Sequence, residues 1–220
     1  MPSKLVEKPR KQASQARSRA TVAALIEATA RILIDEGFDK ANTNRIAEVA
    51  GVSVGSLYQY FPSKEALVLA VAERHNREIV QVVGETLDKV MSLPVEIAVR
   101  RLVAAAVDGH RVNPKLHCVL AEQIPRIGLL EGVEAVNHEA HRLFRAYLEK
   151  NGDEVAVADV GLAAFVCATS IEALAHNAVL HCPELSSDEM IQRLIDETSR
   201  LIVGYLKPVS KSSGVRRQVA

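Results

Sequence analysis

Cysteine is scarce in this chain of 220 residues. There are three, Cys118, Cys167 and Cys182, an odd number without the spacing of a disulfide framework. That excludes a stapled secreted mini-domain and predicts free thiols in a reducing compartment. An excess of one charge is missing as well. Lys+Arg and Asp+Glu both number 27, so the formal net charge is zero and a uniformly basic binder is excluded. The first residues carry charge but no apolar stretch of the kind a secretory signal needs. The longest weakly charged stretch, 160–181, contains Glu172 and two histidines, which predicts a buried helix rather than a membrane span. A cytoplasmic protein is expected, with no membrane partner. No run alternates as a half-buried strand does, and neither an internal repeat nor a low-complexity block interrupts the chain.

Catalytic signatures are also absent. There is no Gly-x-Ser-x-Gly, phosphate loop, dinucleotide fingerprint or His-Glu-x-x-His. An enzyme is therefore not expected, and no cofactor is implied. Two His-Cys dipeptides, His117-Cys118 and His181-Cys182, hold zinc-type ligands. Neighbours on a helix point about 100° apart, however, and rarely reach one ion together. No metal site is expected from them.

What is present is helical period and uneven charge. Residues 1–64 hold 10 Lys/Arg against 6 Asp/Glu, residues 65–206 hold 13 against 21, and residues 207–220 hold 4 against none. A basic front, an acidic body and a basic tail mean that only part of the chain suits an anionic partner. Val22, Leu25, Ile26, Thr29, Leu33 and Ile34 fall on one face of a first helix starting near Ala16, and Gly37 stops it. Short helices are predicted over about 43–50 and 54–60, the second ended by Pro62. Ser63 caps a long helix over about 64–89. Further helices are predicted over about 95–111, 115–123 (ending near Pro125), 132–150 and 155–180. The last opens with the capping-box spacing Ser186-x-x-Glu189 and runs to Leu206. Glu172 and His176, at i and i+4 of an apolar helix, are placed to pair.

The segment Ala41–Leu67 reads ANTNRIAEVAGVSVGSLYQYFPSKEAL. Two short helices meet here at a turn in which Gly51 supplies positive φ without steric cost. Ala47 and Ala50 are small enough to let the helices approach. Leu57 and Phe61 anchor the inner side of the second helix, leaving Val54, Gly55, Ser56, Gln59 and Tyr60 for the outer one. Glycine inside a helix costs about 1 kcal/mol relative to alanine. Gly55 is easier to understand if another backbone, such as that of DNA, comes close. These are the parts of a helix-turn-helix.

The run from Thr43 to Leu67 resembles the DNA-binding domain of the tetracycline-repressor (TetR) family, and the likeness covers about residues 18–70. Beyond it the resemblance is one of architecture: an all-α chain whose helical C-terminal part binds a ligand and dimerises. By position, the resemblance implies that Thr43 and Asn44 meet phosphate or a base edge. Ser53, Val54, Gly55 and Ser56 would start the recognition helix at the major groove. Tyr58 and Tyr60 would give hydroxyls to phosphates. Gln59 would read a base, since an amide bonds adenine bidentately. Lys64 would sit on a phosphate at a helix N-terminus, with Arg45 as a further phosphate contact. Arg10, Lys11, Arg17 and Arg19 would form an arm near the minor groove. Tyr58 as a core aromatic, and Val54 as a merely solvated residue, stay open as plainer readings.

The expected organisation is a basic N-terminal arm over 1–15, a three-helix DNA-binding domain over 16–64, an effector-binding and dimerisation domain over 65–206, and a disordered basic tail over 207–220. A recognition helix reads few base pairs, so two held by a symmetric dimer are expected on a palindromic operator in double-stranded DNA. Small residues Gly161, Ala164 and Ala168, with Ile191, Leu194, Ile195, Thr198, Leu201 and Ile202 of the last helix, are the candidate dimer interface. Candidates for a small-molecule effector pocket are Leu102, Ala106, His110, His117, Leu120, Phe144, Tyr147, Phe165 and Glu172. The overall reading is a homodimeric repressor released by a small molecule. The rival is a helical DNA-binding protein without an effector, architectural or partner-controlled.

Overall fold

The structure, a computed structural model, describes residues 16–127, 130–181 and 187–207, with the side chains of 130–137 and 181 excepted. The expected arm over 1–15, most of the expected tail, Arg10, Lys11, Ser186 and Cys182 lie outside the described residues. The described residues form nine α-helices and one short 3-10 helix, with no strand.

Helix α1 (Ala16–Asp35) buries Leu25, Ala28, Thr29, Ile32 and Leu33, a stripe at i, i+3, i+4, i+7 and i+8. Gly37, at φ +83°, closes it by donating its N–H to the Ile32 carbonyl at 3.0 Å. Helix α2 (Thr43–Ala50) starts where Asn42 Oδ1 accepts from the Arg45 N–H at 3.0 Å. It ends at Gly51, φ +67°, a left-handed turn that aims the chain into α3 (Val54–Tyr60). Ser53 caps α3 through the Ser56 N–H, and Pro62 prevents its continuation. Ser63 caps the long α4 (Lys64–Val90) in the same way, through the Ala66 N–H at 3.2 Å.

Helix α5 (Val95–Arg111) follows Pro94. Helix α6 (Pro114–Arg126) has Pro114 at its first turn, where a missing N–H costs nothing, and Asn113 as its cap. It runs through Pro125 instead of stopping there, because the break in hydrogen bonding falls in the last turn. Helix α7 (Leu130–Lys150) is followed by the 3-10 turn Gly152–Glu154. Helix α8 (Val160–His181) starts five residues later than the sequence pattern suggested. Residues 155–159 instead run irregularly along the bundle end, where the Ala156 N–H bonds the Leu206 carbonyl at 2.8 Å. Asp159 then caps α8 through the Leu162 N–H at 2.9 Å. The cap of α9 (Asp188–Leu206) is Ser187, one residue after the serine that the capping-box spacing picked out.

Two apolar cores result. The front core joins α1, α2, α3 and the first half of α4 to Leu116, Leu120 and Ile124 of α6. The body core joins the end of α4 to α5, α7, α8 and α9. Helix α4 runs through both cores, while α6, whose buried apolar residues belong to the front core, also touches α5 and α8 of the body. Helix α8 is long and apolar enough to cross a membrane by composition, yet Ala163, Ala164, Cys167, Ile171 and Ala175 bury one face of it inside the body.

Candidate DNA-reading surface and effector cavity

The front core fixes which residues of α2 and α3 face outward. Leu57 and Phe61 are buried, as are Ile46 and Ala47 on α2. The opposite side presents Asn44, Gly55, Tyr58 and Gln59, all exposed. Val54 and Tyr60 are half-buried and pack against the front core, so each serves the fold as well as the surface. Hydroxyl pairs hold the surface in shape. Thr43 Oγ1 lies 3.1 Å from the Tyr58 hydroxyl, Ser18 Oγ 2.8 Å from that of Tyr60, and Ser53 Oγ 2.9 Å from Ser56 Oγ. Each hydroxyl keeps capacity for one more bond, since it is both donor and acceptor. Arg17 and Arg19 are exposed on the first turn of α1.

Two cations sit differently from a simple phosphate ligand. Arg45 is committed to carboxylates: its guanidinium lies 3.0 Å from Glu36 and 3.1 Å from Glu48. Hydrogen bonds to Glu36 and Glu48 raise its pKa above the ordinary arginine value. The pairing that holds α2 to the end of α1 uses three of its five N–H donors. Lys64 donates to the Phe38 carbonyl at 3.3 Å and lies 3.8 Å above the Phe38 ring. One of its three donors is used, and its place at the start of α4 is fixed.

Behind this surface lies a cavity of about 260 Å³ between α4, α5, α6, α7 and α8. Of the residues expected around a pocket, Leu102, Ala106, His110, His117, Leu120, Phe144 and Glu172 line it. Tyr147 and Phe165 do not. Tyr147 is fully buried in the body core with its hydroxyl donating to the Leu93 carbonyl at 3.3 Å. Phe165 points outward and rests against His141. Both lie on helices that border the cavity, but on other faces. Residues of α4, among them His75, Asn76, Ile79 and Val83, complete the lining, with Ala168, Ile171 and His176 from α8. The α4 residues were missed because that helix alternates charged and apolar positions, and nothing in its period separates a cavity face from a core face.

The polar end of the cavity is a group of imidazoles from four different helices. His75 Nε2 lies 3.1 Å from His117 Nδ1, and His117 Nε2 lies 2.8 Å from His176 Nδ1. The His110 ring packs edge-on against both His117 and His176. Its Nδ1 donates to the Ala106 carbonyl at 2.8 Å, and its Nε2 faces Glu172 at 3.9 Å. Burial, then His110 and Arg74, push His75 down to about 4. Burial, then His110, His176 and His75, push His117 down to about 3. Both are neutral near pH 7. Glu172, placed by sequence spacing beside His176, faces His110 of α5 at 3.9 Å.

The candidate dimer residues divide. Ala164, Ile191, Ile195, Thr198 and Ile202 are buried within the chain's own body core and are corrected from interface to core. Gly161, Ala168 and Leu194 are half-buried, while Leu201 is exposed. The reason is that α8 is apolar on nearly every side, so its period does not say which stripe the chain itself covers. Exposed apolar residues remain at Leu162, Phe165 and Leu174 of α8 and at Leu201 and Tyr205 of α9; Leu162 and Phe165 share a face of α8, while Leu174 lies about half a turn round from Phe165.

A helix-turn-helix front on an all-helical body with an internal cavity defines a DNA-binding transcriptional regulator. Family models agree. The bacterial regulatory proteins of the tetR family match residues 25–71, and the tetracyclin repressor-like C-terminal domain matches residues 94–206. The chain belongs to the TetR family.

Over 86 residues it is 30% identical to the nucleoid occlusion factor SlmA of Haemophilus ducreyi, covering 39% of this chain and 42% of that protein. Over 63 residues it is 41% identical to the HTH-type transcriptional activator FasR of Mycolicibacterium smegmatis, covering 29% of each. The chain thus spans less than half the length of these curated relatives. In fold it is similar to a TetR-family regulator from Mesorhizobium loti, with a TM-score of 0.71 at 19% identity over 88% of this chain and 100% of that one. It is also similar to FadR, a fatty acid degradation regulator from Bacillus halodurans, with a TM-score of 0.65 at 19% identity over 83% and 94%.

Proposed function

We propose that the chain is a homodimeric repressor that binds a palindromic operator and leaves it when a small molecule enters the cavity. The single observation that supports release is the cavity's place. It lies where α4 and α6, which carry front-core residues, meet α5 and α8 of the body. A ligand there acts on the joint between the reading surface and the rest. It needs to prefer the arrangement in which two recognition helices are out of register with DNA; equal affinity for both arrangements shifts nothing.

In this reading residues 16–64 bind DNA and residues 65–206 dimerise and hold the effector, with α6 belonging physically to both. Thr43, Asn44, Tyr58, Tyr60 and Lys64 position the backbone, while Gln59 reads a base. The exposed apolar residues of α8 and α9 meet those of a second copy, since a twofold contact is self-complementary. The chain acts by binding, without catalysis, at the nucleoid in the cytoplasm. The cavity suits an apolar ligand with a polar group directed at the imidazole end.

The test is a release screen on protein bound to its labelled operator, followed by fluorescence anisotropy. A small molecule that lowers operator affinity in the wild type, and does so less in Leu102→Trp, which fills the cavity, supports the reading. A second reading, DNA binding without an effector, draws on the likeness to a nucleoid occlusion factor. It predicts that no small molecule alters operator affinity.

A further inference from the structure

We propose that His110, His117 and His176 form a binding site for one divalent transition-metal ion of the zinc, cobalt or nickel type, with the Glu172 carboxylate as fourth ligand. The ligand atoms of the three histidines all lie within 4.8 Å of one another. Nitrogens that share a tetrahedral ion at about 2.0–2.1 Å sit about 3.3 Å apart. Bringing the three histidine nitrogens from up to 4.8 Å apart to that spacing is a shift of side-chain size. Imidazole nitrogens with one carboxylate favour these ions over magnesium or calcium, which take oxygen ligands, and over copper(I), which takes sulfur.

The surrounding bonds have the form of an outer shell. His110 Nδ1 must donate to the Ala106 carbonyl, which cannot donate in return, so Nε2 presents its lone pair to the cavity. A carboxylate oxygen of Glu172 stands 3.9 Å from that lone pair. Glu172 is half-exposed, so an incoming ion would replace water between these two electron-pair donors. His75 plays the same orienting part for His117. When His117 Nε2 binds the ion, its Nδ1 carries the proton and donates to His75 Nε2, 3.1 Å away. In this tautomer the 2.8 Å contact between His117 Nε2 and His176 Nδ1 holds one proton, on His176. An ion entering there displaces it to His176 Nε2, so all three imidazoles remain neutral and no proton is released.

The ligands come from α5, α6 and α8, and α6 is the helix whose apolar side belongs to the front core. An ion would therefore clamp the front to the body. That consequence rests on the proposed control of DNA binding through the cavity; the metal site itself does not.

The experiment is a Co²⁺ titration of the full-length protein after chelator treatment, read by visible d–d absorption and by calorimetry. The expected result is one ion per chain with the intense bands of a four-coordinate site, abolished by Zn²⁺. His176→Gln, a half-buried position, should remove the bands with helicity unchanged. His75→Gln should weaken binding about 10–100-fold. His138→Gln, exposed and outside the group, should leave it intact. Absence of the bands in the wild type, or their survival in His176→Gln, overturns the site. Operator affinity with Zn²⁺ and with chelator is measured separately. Metal binding with unchanged operator affinity would count against control through the cavity and leave the site standing.

Discussion

The hydroxyl of Tyr58 lies 3.1 Å from Oγ1 of Thr43, tying the middle of α3 to the first residue of α2 on the outward side of the turn. Leu57 and Phe61 secure the inward side by burial. The angle between the two short helices is thus held from both faces, and the exposed Gln59 is carried on a rigid mount. This is what a base-reading residue needs, since an amide pairs bidentately only in a narrow range of orientation.

Gly55 gives the sharpest separation of stability from DNA binding. A methyl group there would meet nothing nearer than Ser53 Oγ at 4.0 Å, in open space. Gly55→Ala should therefore stabilise the fold, by up to about 1 kcal/mol from helix propensity. It should also weaken DNA binding, because the added carbon intrudes where another backbone approaches. Thermal melting and duplex-binding curves on one preparation check both. Full affinity in the variant would remove close approach as the reason for the glycine.

The charged residues divide by salt dependence. Lys64→Ala should weaken binding to every sequence and reduce the slope of log affinity against log salt by about 1. Arg45→Ala should leave that slope unchanged, because its partners are Glu36 and Glu48. Gln59→Ala should change base preference at one fixed position of each half-site. A uniform loss across sequences would make Gln59 a positioning residue.

Dimerisation should respond to the exposed apolar residues and not to the buried ones. Leu201→Glu and Phe165→Glu place charges on exposed apolar positions. They should yield folded monomers in sedimentation and lose tight binding to a palindrome. Ile195→Ala, in the body core, should cost about 2–5 kcal/mol of stability by cavity formation. A dimer that survives both surface charges would place the interface elsewhere.

The thiols should differ in reactivity. Burial pushes Cys167 up to about 12, so its thiol stays protonated far above neutral pH and stays covered as well. Peptide mapping after iodoacetamide at pH 8 should find Cys118, which is half-buried, modified well before Cys167. Equal labelling rates would mean that α8 opens readily.

The helical order was legible in the sequence because stop signals are local: Gly37, Gly51 and Pro62 each act within a residue or two. The start of α8 was not, because Val155 and Val157 are apolar enough to extend its pattern backwards, and only packing against Leu206 and the body holds them out of the helix. The outward residues of α3 followed from the buried Leu57. The ion pair of Arg45 was not legible because its partner Glu36 is nine residues away, on the far side of a turn. The imidazole group was invisible for the same reason: His75, His110, His117 and His176 are scattered over a hundred residues of sequence and meet only where four helices converge.

The central claim is sequence-specific binding by a symmetric pair of recognition helices. The most direct test is selection of bound duplexes from a random pool by purified protein at stated salt. The account predicts enrichment of a palindrome whose half-sites lie about one helical turn apart. Salt-sensitive binding without any enriched sequence would contradict it.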